Sequence, residues 1–293
     1  MLFEPSRPSR NGACERGRAH AFRRLAVVVV VLAALVMSGC AGSSAVSDEL
    51  VVTGSTTILP IAEIAAEEFA DQNPSARVLV SGVGSSAGIE SVSRGSSDIG
   101  TSSRDLKPQE EELGLYDTAI AVDAIAVVVN PDNPVDALTS DEVRSVFAGE
   151  VSNWSEVGGP DWEIGLVNRD EASGTREAFY RIVMGGVSFD RSAAVLPGTG
   201  QVRSVVANAE SAIGYVSLGF VTSEVKVIRV DGVMPTPETV RNGRYPLQRK
   251  LHFFTVGEPE GLAKEYVDFV LSEAVQEGIV RDAGFLPIAQ GVD

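Results

Sequence analysis

The sequence predicts an α/β fold of two lobes, each a mostly parallel sheet flanked by helices, with a cleft between them. Three observations carry this. Short apolar strands alternate with helical patterns, as in parallel βαβ units. The chain left after a leader is set aside is longer than one core usually serves. Turns rich in Gly, Ser and Thr follow strands in both halves of the chain. In parallel sheets such turns gather at the carboxyl ends of the strands, where ligands bind.

The leader comes first. Arg7, Arg10, Arg16, Arg18, Arg23 and Arg24 precede an apolar run from Leu25 to Met37, followed by Ser38-Gly39-Cys40. A basic segment, an apolar core and small residues before a cut describe a signal peptide. The run is shorter than the ~20 residues of a spanning helix, although an uncleaved anchor is the alternative. Ser-Gly-Cys after the run resembles a bacterial lipobox, with Met37 where Leu is more usual. That resemblance implies cleavage before Cys40 and lipid on its sulfur. Cys14 leaves with the leader, so the mature chain has no disulfide to form.

Cleavage leaves 254 of 293 residues, and takes away six Arg and two Glu. The mature chain then carries 18 basic and 38 acidic residues, a net charge of −20. Such a charge argues against nucleic acid or an anionic membrane surface as partner. An anion site here has to work through local donors against the global field.

Ala41–Asp48 reads as a tether. Leu50–Thr53 is a short strand, Gly54-Ser55-Thr56-Thr57 a turn, and Ile58, Ile61, Ala62, Ala65 and Phe69 mark a helix to about Asp71. Pro60 fits its first turn. Arg77–Ser81 is a second strand, turning through Gly84-Ser85-Ser86-Ala87-Gly88 into a short helix. Asp98–Thr101 is a third, running into Ser102-Ser103-Arg104. Ala119–Asn130 is a long apolar strand ending in Pro131-Asp132-Asn133-Pro134, which marks a hinge and the start of the second lobe. Thr139–Glu142 is a capping box. Glu163–Val167 is the strand leading to Asn168-Arg169-Asp170-Glu171-Ala172-Ser173-Gly174-Thr175-Arg176. Val205–Glu210 reads as a helix, Ala212–Val216 and Val225–Val230 as strands, and Leu251–Thr255 as a strand returning to the first lobe. Two helices close the chain. The boundaries expected are 1–39 for the leader, 40–48 for the tether, 49–128 plus 247–293 for lobe I, and 129–246 for lobe II.

Four turns therefore carry clustered donors: Ser55, Thr56 and Thr57; Ser85 and Ser86; Ser103 and Arg104; and Arg169 with Ser173, Gly174 and Thr175. Each hydroxyl donates one hydrogen bond and each loop adds backbone N–H groups. Ser173 is a good N-cap, and the first turn of a helix suits an oxyanion. Loops so rich in donors and poor in aromatics fit a small dehydrated oxyanion. Arg176, one turn along, is left either as a ligand or as a partner for neighbouring Glu and Asp.

These motifs, in this order, resemble the phosphate-binding lipoproteins of ABC-type phosphate importers, in the periplasmic-binding-protein superfamily. Phe147–Trp154 and Ala212–Val216 support the resemblance, which covers essentially the whole mature chain. It implies the type II fold of that superfamily, extracytoplasmic binding of inorganic phosphate, a membrane permease as partner, and a lipid anchor on Cys40. A monomer without cofactor or metal is expected. Thr56, Ser85 and Ser86 would meet the anion from one lobe, and Arg169, Ser173, Gly174 and Thr175 from the other. Closure would turn on Val129-Asn130 and on residues 246–251. The chain departs from the best-known members at Ser103, where they carry an Asp that accepts the proton of hydrogen phosphate.

The alternatives are a binder of sulfate, molybdate or tungstate, a sensing module, or a serine hydrolase. Gly84–Gly88 matches the G-x-S-x-G nucleophile elbow. A triad needs a histidine, and the mature chain has only His252, inside an apolar strand. Neither a Walker A motif nor a Cys/His cluster with metal-ligand spacing occurs.

Overall fold

A computed structural model of the chain describes residues 48–288. The leader, Cys40 and most of the tether lie outside the described residues. In chain order the elements are β1 (Asp48–Gly54), α1 (Leu59–Gln72), β2 (Ala76–Gly82), α2 (Ser85–Ser93), β3 (Ile99–Ser102), α3 (Pro108–Glu111) and β4 (Leu115–Val129). Then come β5 (Ala137–Leu138), α4 (Ser140–Ala148), β6 (Gly165–Arg169), α5 (Gly174–Phe179), β7 (Ala194–Leu196), α6 (Thr199–Ala207) and β8 (Ala212–Ser217). The chain continues with β9 (Lys226–Val227), β10 (Arg229–Val230), α7 (Pro237–Arg241), β11 (Gln248–Val256), α8 (Gly261–Leu271), α9 (Glu273–Val275) and β12 (Leu286–Pro287).

The strands join in the order β2-β1-β3-β11-β4-β8-β6-β7, with β9 and β12 also on β4. β1 runs parallel to β2 and β3, and β6 parallel to β7 and β8. Each group therefore presents the carboxyl ends of its strands together. β11 and β4 are antiparallel to each other and join the two groups.

Two large apolar cores flank this sheet. One gathers Leu50, Val52, Ile61, Ala65 and Phe69 against Tyr266 and Val270, as the helical spacing of α1 predicts. The other gathers Val143, Val146, Phe147, Trp154, Phe179 and Tyr215. β4 feeds both: Ile120 and Ala121 enter the first, and Ala124, Ile125, Val127 and Val129 the second. β11 does the same through Leu251 and Phe253 on one side, with the preceding Leu247 on the other.

Two elements depart from the expectation. α6 begins at Thr199, not Val205, and stops at Ala207. Gly198, in extended conformation, stands at the N-cap of this helix. Val225–Val230 splits into β9 and β10, because Ile228 bonds to Val127 O while Arg229 crosses to pair with β5. The capping box at Thr139 and Glu142, and Pro60 in the first turn of α1, form as expected. Among the described residues no helix is long and apolar enough to cross a membrane.

Candidate functional site

Three turns at the carboxyl ends of β1, β2 and β3 stack against the turn that follows β6. Close backbone packing makes this possible. A Cβ on Gly88 would lie 2.6 Å from Gly54 Cα, so α2 can sit against β1 only through glycine. Gly84, at φ +101°, lies where a Cβ would meet Ala172 at 2.8 Å. Both positions exclude larger residues.

On the other side, Ser173 caps α5 by accepting from Arg176 N at 3.2 Å. The end of β6 is held by Asn168, whose Oδ1 accepts from Arg169 N at 2.8 Å and from the Tyr215 hydroxyl. Tyr215 is fixed in turn by Phe179, stacked at 4.2 Å, and by Phe147. Burial pushes the Tyr215 hydroxyl pKa up, so it stays a donor to Asn168.

The two sides meet directly. Thr57 Oγ1 lies 3.1 Å from Thr175 Oγ1. Arg169 Nη2 donates to Thr56 Oγ1 at 3.3 Å, and Ser86 N to Ala172 O at 3.1 Å. A Cβ on Gly174 would fall 2.3 Å from Ser85 Oγ and 2.7 Å from Ser103 Oγ. Thr56, Thr57, Ser85, Ser86, Ser103, Arg169, Gly174 and Thr175 are thus brought together. Ser55 and Ser173 are buried beside them, their hydroxyl oxygens taken up by the N–H groups of Thr57 and Arg176.

The polarity of the hydroxyls is consistent. Ser85 Oγ accepts from Ser103 N at 3.1 Å, Ser86 Oγ from Arg104 Nη2 at 3.1 Å, and Thr56 Oγ1 from Arg169. A hydroxyl that accepts from an N–H has its one proton left to give. Such a cluster favours an electron-rich guest. Ser103 differs: among the described residues no N–H bonds to its oxygen, which meets Ser85 Oγ at 3.3 Å.

Three arginines surround these groups. Arg104 forks onto Glu110 at 2.6 and 2.8 Å, and this contact helps hold the Glu110 carboxyl below its usual range even though burial works the other way. Arg249 pairs with the fully buried Asp123 at 2.7 Å. Arg169 is 2 % exposed, yet its donors reach only neutral oxygens: Leu196 O, Pro197 O, Thr199 Oγ1 and Thr56 Oγ1. Among the described residues no carboxylate lies within ion-pair distance of it. Burial lowers its pKa, and Asp170 opposes this only through the field.

Arg176 pairs with no acid among the described residues; its guanidinium sits 4.9 Å over the Phe189 ring. Arg181 makes the acidic contact instead, with Asp105 at 2.8 Å, and Lys107 meets Glu177 at 3.5 Å. His252 turns its ring nitrogens to Asp117 at 2.7 Å and Asp105 at 3.4 Å, not to Ser85 or Ser86. Thr199, Asp123 and Arg249 border the cluster and escaped the sequence reading. Only the two charges inside apolar strand patterns could have signalled the last pair.

A model of the PBP superfamily domain matches residues 40–274. The phosphate-binding protein PstS of Bacillus subtilis is 36% identical over 252 residues, covering 84% of this chain and 83% of that protein. The phosphate-binding protein PstS of Borreliella burgdorferi is 27% identical over 279 residues, covering 91% of this chain and 99% of that one. Among solved structures, a Clostridium perfringens protein assigned as a phosphate ABC transporter substrate-binding protein, with phosphate bound, has a TM-score of 0.79 at 36% identity. That match covers 83% of this chain and all of the other. An ABC-type phosphate transport receptor from Vibrio cholerae has a TM-score of 0.70 at 31% identity, over 82% of this chain and 100% of that one.

Proposed function

This chain belongs to the PBP superfamily and, within it, to the family of the phosphate-binding proteins PstS; from that membership we propose that it binds inorganic phosphate outside the cytoplasm and hands it to the permease of an ABC-type phosphate importer. The observation that carries this is Arg169, a buried guanidinium with no carboxylate partner among the described residues, set beside the Thr56 and Thr199 hydroxyls that accept its donors. A buried charge is retained where something offsets it. A phosphate oxygen seated among Arg169, Thr56, Ser85, Ser86, Gly174 and Thr175 does so, and the start of α5 adds N–H groups.

Binding works as a clamp. The lobes are residues 49–128 with 247–293, and residues 129–246, and β4 and β11 carry the bend between them. Charge-assisted hydrogen bonds contribute ~1.5–3 kcal/mol each. Several of them reach micromolar affinity or better after ordering costs. Ser103, with no N–H on its oxygen among the described residues, accepts a hydrogen bond from the remaining O–H of hydrogen phosphate, a group that sulfate lacks at neutral pH.

Cys40 carries lipid and holds the monomeric chain at the outer face of the membrane. The chain binds without catalysis: both ring nitrogens of His252 are turned to acids, and among the described residues no base is bonded to Ser85 or Ser86. Calorimetry of the purified chain tests the ligand. Micromolar or tighter binding of phosphate, with sulfate and tungstate weaker, is expected. Sulfate bound as tightly as phosphate overturns the assignment.

A further inference from the structure

One buried ion pair beside the site has no part in the clamp so far. Asp123 of β4 and Arg249 of β11 stand opposite each other in the antiparallel register. Both are buried, and Arg249 Nε and Nη2 donate to Asp123 Oδ2 at 2.9 and 2.7 Å. Such a pair stabilises a fold no better than apolar side chains of similar volume. Stability alone does not account for it.

The remaining donors of Arg249 point at the anion site. Nη1 donates to Ser103 O at 3.0 Å, and Nη2 reaches Thr57 Oγ1 at a long 3.5 Å. The first bond holds the carbonyl of Ser103, the residue whose own N–H donates to Ser85 Oγ. The second occupies the Thr57 oxygen, leaving its proton for Thr175 or for a guest. Asp123 reaches the other way: its Oδ1 accepts from Ser217 Oγ at 2.7 Å and Leu218 N at 3.2 Å, at the end of β8. The pair thus ties the turn after β1, the end of β3 and the end of β8 to the two strands that feed both cores.

We propose that Arg249, anchored by Asp123, is a positioning residue for the anion site: without touching phosphate it aims the Thr57 hydroxyl and holds the Ser103 backbone in place. The inference rests on the phosphate reading above. Lysine cannot replace it, because one ammonium does not fork between a carboxylate, a carbonyl and a hydroxyl at these separations.

Two variants test it, with folding followed by circular dichroism and thermal melting. Asp123→Leu combined with Arg249→Met removes both charges and leaves neither orphaned, so it is expected to fold. Arg249→Lys keeps the charge and loses the fork. Calorimetry should show phosphate affinity reduced about tenfold or more in each, the loss expected for a misaimed charge-assisted contact. Binding like the unaltered chain by either folded variant overturns the proposal. If the unaltered chain itself fails to bind phosphate, the phosphate reading falls and takes this inference with it.

Discussion

On the side built from β1, β2 and β3, each buried guanidinium has its own carboxylate: Arg104 has Glu110, and Asp123 serves Arg249. On the β6–α5 side Arg169 has neutral acceptors only, and aromatic packing through Tyr215 and Phe179 holds the segment it grows from. Internal neutralisation keeps the first set of donors in place whether or not a guest is present. The second side stays electrostatically incomplete, so an anion gains most there. Rigidity on one side and unmet charge on the other make a site that is shaped before binding and completed by it.

The largest test of that contrast is Arg169→Met. Phosphate affinity should fall roughly hundredfold or more, the loss of several charge-assisted bonds at once. Thermal melting of the ligand-free variant should show unchanged or greater stability, because burial already works against this charge. A large loss of stability would contradict the idea that Arg169 is uncompensated.

Gly174→Ala should come next. Its Cβ would overlap Ser85 Oγ and Ser103 Oγ, holding the two sides apart. A fall in phosphate affinity of about tenfold, an overpacking effect, is expected by calorimetry. The helix content of the variant should be unchanged.

Glu110→Gln would make the first side resemble the second. Arg104 loses its carboxylate, so melting should report a cost of about 1–2 kcal/mol, less than for a fully buried pair because Glu110 is partly wetted. Phosphate should bind severalfold tighter at low salt, and the gain should vanish as salt rises.

The smallest effect is one of pH. Burial works against a charged His252, but Asp105 and Asp117 more than offset it, so its pKa is raised from 6.5. Its stabilisation is complete below about 6.5 and is lost as pH climbs through the raised value. Asp105, held well below the carboxylate range first by the His252 ring nitrogen that faces it at 3.4 Å, acts in the opposite sense. Its contribution is present above 3.8 and lost as pH falls through the lowered value. The melting temperature should therefore decline on the alkaline side, and His252→Gln should flatten that limb.

Much of this was readable in advance because the chemistry is local. A Gly/Ser/Thr turn after an apolar strand carries its own punctuation, so the turns at Ser55, Ser85, Ser103 and Ser173 could be found one at a time. Family resemblance then joined them. Arg249 was not readable, since its meaning depends on Asp123, 126 residues away, and a charge beside Lys250, ahead of an apolar strand, reads as a solvent-facing position. Thr199 was not readable either, since it lies six residues ahead of the helix expected from Val205, although it opens α6 and accepts from Arg169 at 2.9 Å. Arg176, left open between ligand and partner of neighbouring acids, could not be placed for a similar reason. Helical spacing predicts which face a side chain shares, but not that Phe189 would rise to meet it.

The strand order has a consequence for how the molecule is made. β11 lies between β3 and β4, although both precede it by more than a hundred residues. Until β11 arrives, these two strands have open edges, and open edges invite pairing with other chains. A polypeptide that emerges from its amino end exposes them for most of its synthesis, and the closing of so distant a pairing is intrinsically slow. Newly made chains would be most prone to aggregation in that interval, and truncation before Gln248 would make it permanent.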